Sequence, residues 1–321
     1  MNLLEKTKNK KIHLIPKYLE LAISQRNQIK RFIKLRKKMD RILADVDNGN
    51  YSRFITPLWG KFNSTIKKEM LPVLPFNFLR KKVFKETMVI TKHGPMFKEQ
   101  INFLESKLNK NLLKELLKEN IVGLPMLYNW KNVTSHANVH TLYHWVRFNN
   151  NSNLLFEKPK IIEWGGGYGN MARLLFNIFK GNLEYYLIDM PIMTAIQWLY
   201  LASILGEDEI EILKTENQKP TKRIRLIPLS STDLIPQNCD LFISTWALSE
   251  SSAYAQEYVK NKRWFGAKSI LYAYQDKNKK LPDSEITADY LISQNGQIET
   301  IPYLSNSRYI FLKYKKYHGI S

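Results

Sequence analysis

The sequence predicts an α/β protein: a Rossmann-like, mostly parallel sheet closed by an antiparallel C-terminal hairpin and preceded by a mainly α-helical N-terminal region. Three observations predict it. Up to about residue 150 the apolar residues recur at helical spacing and no strong strand signal breaks them. Beyond that point short apolar runs alternate with helical segments, as in a sheet built from βα units. The chain then ends in two strand-like runs separated by a polar turn signal.

The elements follow in order. Over 14–46, Leu14, Ile15, Tyr18, Leu19, Leu21, Ala22, Ile29, Phe32, Ile33 and Leu35 recur at helical spacings, and Arg26, Lys30, Arg31, Lys34, Lys37, Lys38 and Arg41 make the other face basic. Such a helix suits a membrane surface or is an ordinary helix with a solvated face. The run DVDNGNY (45–51) reads as a turn. A second helix is expected over 97–119, punctuated by the GLP at 123–125, and a third over about 135–148. After the polar break at 149–153, strands are expected at Lys160–Trp164, Glu184–Asp189, Ile224–Pro228, Asp240–Thr245 and Ser269–Ala273, with helices between the first four. Ile298–Tyr303 and Arg308–Lys313, joined through the SNS at 305–307, complete the hairpin.

Composition narrows the function classes. With 321 residues, 44% hydrophobic and 24% charged, the chain can bury a proper core. Cys239 is the single cysteine, which excludes a disulfide framework and a cysteine zinc site. No apolar run approaches the roughly 20 residues of a membrane span, and Met1 to Lys11 leads into no apolar signal core. A cytoplasmic protein is expected, either free or peripheral at the inner membrane face. The charge is uneven: residues 1–150 hold 29 Lys+Arg against 11 Asp+Glu, and residues 151–321 hold 20 against 18. The basic half suits a phosphate-bearing substrate, an anionic membrane face or nucleic acid, or it reflects compositional bias. Two regions are therefore expected: 1–150 as a substrate cap or docking surface, and 151–321 as a cofactor-binding domain.

The cofactor reading rests on Ile161-Ile162-Glu163-Trp164-Gly165-Gly166-Gly167-Tyr168-Gly169-Asn170, where a strand ends, glycines turn and a helix begins. A ligand lying against the backbone leaves no room for a Cβ, and the helix N-terminus offers free amides. A dinucleotide site uses the spacing G-x-G-x-x-G. Here the spacing is E-x-G-x-G-x-G, and the Glu163 carboxylate suits a ligand with an ammonium and would repel a pyrophosphate. Asp189 ends the next strand, 20 residues after Gly169, where an acid can take both hydroxyls of a ribose. Strand, turn and both acids together indicate S-adenosylmethionine, bound on a seven-stranded methyltransferase sheet. Met190, Ser231 (with Ser230 and Asp233) and the strand-ending pair Thr245 and Trp246 complete the expected cofactor contacts.

At this point the chain resembles the bacterial sugar O-methyltransferases, a branch of the class I enzymes. The matching stretches are IIEWGGGYGNMARLL (161–175), YYLIDMPIMTAIQWLYL (185–201) and DLFISTWALSES (240–251), with IDMP followed by Gln197 the distinctive piece. Upstream, FNFLRKKVF (76–84), NIVGLPMLYN (120–129) and SHANVHTLYHW (135–145) resemble the helical lead-in of that family. The resemblance spans roughly 50–315 and implies a sugar hydroxyl as acceptor, on a surface glycan or its phosphate- or lipid-linked precursor. It leaves the first 50 residues unexplained.

A sugar hydroxyl needs its proton removed, so a base or a metal is sought on the loops after the strands. Glu250 in the ALSES loop is the first candidate base. His136, His140 and His144 fall at i, i+4 and i+8, where one can act as base; successive steps drift round a helix, which disfavours a three-histidine metal site. Asp276 is the third candidate, as base or magnesium ligand. Gln197, Ser249 and His144 are the candidates for acceptor contact. Nucleic acid methylation is the alternative reading, disfavoured because no N/D-P-P-Y/F motif follows the fourth strand and Cys239 precedes it. A binding protein without activity is the third, and Glu163, Gly167 and Asp189 speak against it.

Overall fold

The computed structural model describes residues 14–47, 50–89, 94–129, 133–152 and 157–313. The lysine-rich N-terminus and residues 48 and 49 of the expected DVDNGNY turn lie outside them.

The expected helix over 14–46 is three helices: α1 (Ile15–Ser24), α2 (Arg26–Leu35) and α3 (Met39–Val46). The first break is at Gln25, whose buried amide donates to the Glu119 carbonyl (2.7 Å) and accepts from the Ile121 N–H (2.8 Å). A side chain committed to a distant segment fixes the bend there. Next come α4 (Pro57–Met70), entered through a Thr56 cap, and the short α5 (Lys82–Thr87). The helix expected over 97–119 is two, α6 (Gly94–Lys107) and α7 (Lys110–Leu116), parted where Asn109 caps the second. A small hairpin that periodicity did not signal, β1 (Leu127–Asn129) with β2 (Val133–Ser135), leads into α8 (His136–Ser152). Three-residue strands are too short to carry an alternation signal.

From here the βα rhythm is the expected one. The elements are β3 (Lys160–Trp164), α9 (Asn170–Ile178), β4 (Glu184–Asp189), α10 (Pro191–Leu205), β5 (Ile210–Ile212) and β6 (Ile224–Pro228). They continue with β7 (Leu241–Thr245), α11 (Ala253–Asn261), β8 (Ser269–Gln275), α12 (Ile286–Ser293), β9 (Gln297–Ile301) and β10 (Leu304–Lys313). The sheet order is β5-β6-β4-β3-β7-β8-β10-β9, with β10 antiparallel to both neighbours and the other pairs parallel. It has eight strands rather than seven, because β5 adds an edge beside β6. Only a 3-10 turn (Leu229–Leu234), not the expected helix, joins β6 to β7. The hairpin turns at Pro302 and Tyr303, where Tyr303 takes a left-handed φ of 63°; the SNS run lies in β10 at a register shift instead.

Strand order reverses between β3 and β7, so the crevice beyond their C-terminal ends is where an open α/β sheet admits a ligand. The helical half closes over it. Helix α10 is buried almost throughout because α2 and α3 pack on the side away from β5 and β6. Arg31 donates to the last carbonyls of α10, at Ser203 and Ile204, both at 2.8 Å, which satisfies a helix end that would otherwise be orphaned. One buried cluster runs from Phe32 through Phe78 and Phe84 to Leu312, so both halves share it.

Candidate active site

A cavity of about 710 Å³ opens at the reversal point, within the size range of small-molecule sites. Its floor is the end of β3, the glycine turn and the end of β4. Glu163 on β3 is buried and accepts the Tyr185 hydroxyl at 2.8 Å. Burial pushes its carboxyl up to about 8, against the Tyr185 hydrogen bond and helped by repulsion from Asp189. Asp189 accepts the Met190 N–H (2.8 Å) and the Gln197 amide (2.7 Å), yet burial still raises it to about 7. Two buried carboxyls with raised values share one cavity, and a cation bound beside them would favour their ionised forms.

The glycines divide in purpose. Gly165 and Gly167 take left-handed φ of 75° and 55°, and Gly169, also left-handed, enters α9. A Cβ on Gly165 would stand 2.0 Å from that of Ala247, and one on Gly166 would stand 2.6 Å from the Glu163 carboxylate. Two of the positions are thus small because protein packs there, and only around Gly167 is contact ordinary, against Met88. Gly169 does not line the cavity.

The other expected cofactor contacts separate. Met190, Thr245 and Trp246 line the cavity, with Met193 beside them. Ser231 does not: its turn presents Leu229 instead, Asp233 is exposed, and Ser230 donates to the Val46 carbonyl at 3.0 Å. Gln197, expected to touch the acceptor, is fully buried beneath the floor, where one amide nitrogen donates to Asp189 and to the Gly167 carbonyl, both at 2.7 Å. It positions the acid and the turn together. Ser249 is likewise buried away from the cavity, donating to the Trp246 carbonyl at 2.7 Å.

The opposite end of the cavity gathers Glu250, Trp59, Gln275, Trp246 and two histidines. The Glu250 carboxyl accepts the Trp59 indole N–H (2.9 Å) and the Gln275 amide (2.8 Å), and burial raises it to about 7. Asp276, one residue on, points elsewhere and pairs with Arg308, since side chains alternate along a strand. Among the described residues no group of three or more His, Cys, Asp or Glu side chains converges to hold a metal, so the magnesium suggested at Asp276 finds no ligand set there. Trp246 sits at a left-handed φ of 66° and stacks on the His140 ring, centroids 5.7 Å apart.

The three histidines share one helix, α8, but not one environment. His144 lines the cavity with Nδ1 on the Tyr309 hydroxyl, and burial lowers it to about 3. His140 also lines it, and burial holds it well below the usual range. His136 faces the Gln100 side of the helix, against Phe97, and does not line this cavity, as the i+4 drift requires. Gln100 joins two of them. Its oxygen accepts from His136 Nε2 (3.3 Å) and its nitrogen donates to His140 Nδ1 (2.7 Å). An amide nitrogen can only donate, so the His140 proton sits on Nε2, which is buried without a hydrogen-bond partner. The basic nitrogen of His140 is therefore already used by Gln100.

With the geometry in place, comparison with known proteins is brief. No family model matches the sequence, and no curated protein does. Several of the solved structures it resembles are described as methyltransferases. A SAM-dependent methyltransferase from Aquifex aeolicus aligns at 14% identity over 48% of this chain and 80% of that one, with a TM-score of 0.33. M. capricolum TrmK, solved with S-adenosyl-homocysteine, aligns at 13% identity over 54% and 71%, with a TM-score of 0.34. The mitomycin 7-O-methyltransferase MmcR aligns at 10% identity over 80% and 67%, again with a TM-score of 0.34.

Residue-level reading missed Trp59, Gln275, Gln100 and Met193. Trp59 and Gln100 come from helices far from the sheet in sequence, with no local signal. Gln275 could have been reached by extending the alternation of β8 two residues past Ala273.

Proposed function

We propose that this chain is an S-adenosylmethionine-dependent O-methyltransferase acting on a sugar hydroxyl of a surface glycan or its precursor. One observation carries the cofactor assignment: Glu163 and Asp189, at the ends of adjacent strands, are both buried in one cavity with their carboxyls driven toward neutrality. The donor set fits the group. Glu163 would hold the ammonium and Asp189 the ribose diol, with the Gly165–Gly167 turn alongside and Met190 and Met193 against the apolar parts. When bound, S-adenosylmethionine supplies an electrophilic methyl on a cationic sulfur, whose bonding electrons return to sulfur as the methyl leaves.

The chain's own residues do the rest. Glu250, raised to about 7, is the group able to take the acceptor's proton near neutral pH, and Trp59 and Gln275 fix its carboxylate. Trp59 and Trp246 offer indole surface to the C–H face of a sugar ring. The helical half, covering the mouth through Trp59 and α5, serves as the acceptor cap.

Calorimetry with S-adenosylmethionine and its demethylated product tests the first part. Absence of binding to both would overturn it. Radiolabelled methyl transfer to sugar nucleotides, lipid-linked sugars and RNA tests the second, and transfer to RNA alone would replace the sugar reading with the nucleic-acid one.

A further inference from the structure

Helix α1 is bolted to the body by one face and leaves an apolar stripe on the other. The Tyr18 hydroxyl donates to the Pro125 carbonyl (2.8 Å) and accepts the Leu127 N–H (2.9 Å). The Arg80 guanidinium lies 4.9 Å from the Tyr18 ring centre, Leu21 is buried, and Gln25 ties the end of the helix to residues 119 and 121. This fixed orientation turns Ile15, Leu19 and Ile23 outward, 63%, 60% and 67% exposed. They fall at i, i+4 and i+8, one strip along the helix. Single exposed aliphatics need no explanation, but three in register on an anchored helix mark a contact surface. The chain then continues directly into α2, where Arg26, Lys30 and Lys34 are exposed.

We propose that α1 and α2 dock this protein on an anionic lipid surface, with Ile15, Leu19 and Ile23 entering the headgroup boundary and the α2 cations meeting lipid phosphates. Charge complementarity selects this occupant. A strip of aliphatics followed by cations matches an interfacial helix on acidic lipid. Nucleic acid would use the cations and leave the aliphatics in water, and a second copy would bring like charges together. The docking does not depend on the reaction proposed above, although a lipid-linked acceptor would be met at such a surface.

Co-sedimentation with vesicles tests it. The full chain should bind vesicles containing phosphatidylglycerol, bind phosphatidylcholine alone far less, and be released as salt is raised. The triple variant Ile15→Ser/Leu19→Ser/Ile23→Ser should lose about tenfold or more in partitioning with an unchanged melting temperature, since all three residues face solvent. Lys30→Glu/Lys34→Glu should lose a similar factor. No binding to the acidic vesicles, or equal binding by the triple variant, overturns the proposal. If the triple variant instead turns a dimer into a monomer, or melts lower with vesicle binding unchanged, the stripe is covered by a second copy or by the chain's own N-terminal residues.

Discussion

The two ends of the cavity are built in different ways. The floor comes from one stretch of chain: Glu163, the glycine turn, Asp189 and Gln197 all belong to β3, β4, α10 and the turns between. The far end is assembled from four separated places, bringing Trp59, His140, Trp246, Glu250 and Gln275 together from α4, α8, the loop after β7 and the end of β8. A floor made locally can keep its chemistry wherever the same strand–turn–helix unit recurs. A far end made from distant helices can change its occupant without disturbing the floor. On the proposed function the floor serves the cofactor and the far end the acceptor, so substitutions at the two ends should have separable effects.

The largest effect is expected at the floor. Glu163→Gln should weaken S-adenosylmethionine binding by about a hundredfold or more, roughly 2.7 kcal/mol, because the lost charge faces a cation in a buried site. The same variant should stabilise the ligand-free protein above neutral pH. Glu163 and Asp189 have folded values above their unfolded ones, so the stability they contribute is full below about pH 4 and is lost as pH rises toward 7 to 8. Melting curves across pH 5 to 9 should show a shallower decline for Glu163→Gln than for the parent. Cofactor affinity runs the other way, rising through the same window as the carboxyls ionise, and calorimetry at several pH values reads it. Affinity independent of pH would break the assignment of the floor.

At the far end Glu250→Gln should cut kcat about 10²- to 10⁴-fold while leaving cofactor affinity within a factor of about two. The acidic limb of the rate profile, centred near the value of about 7 that burial gives Glu250, should vanish with it. A kcat loss accompanied by lost cofactor binding would mean the two ends are not separable. A smaller change is expected beneath the floor. Gln197→Ala removes the donor common to Asp189 and the Gly167 carbonyl, and should raise the cofactor Kd about tenfold with kcat at saturation unchanged. Smallest of all, Asp276→Asn should alter neither kcat nor KM by more than about twofold and cost at most about 1 kcal/mol, since its partner Arg308 is part-exposed. Gln275→Ala, one residue away, should raise the acceptor KM instead.

Much of the floor is legible from residues alone because its causes are local. An acid two residues before a glycine turn and another at the end of the next strand need only strand periodicity to be placed on one edge. Gln197 is the exception. Its position in α10 was visible, but its side chain turns beneath the floor onto Asp189 and the Gly167 carbonyl, so a residue expected to meet the acceptor holds Asp189 instead. The far end was read by residue type, which found Glu250 and two of the histidines. It misassigned Asp276 through a one-residue error in strand parity, and it had no means of finding Trp59 or Gln100.

By itself, the sequence determined the order of helices and strands, the antiparallel close of the sheet and the pair of acids flanking the glycine turn, because each follows from periodicity and backbone chemistry over a few tens of residues. Only the tertiary structure decided that β5 widens the sheet, that α1 turns its aliphatics outward, that Gln100 sets the His140 proton, and that Trp59 reaches Glu250. Those depend on which surfaces meet across the fold, and burial, not spacing, fixes the side chains' partners and their protonation.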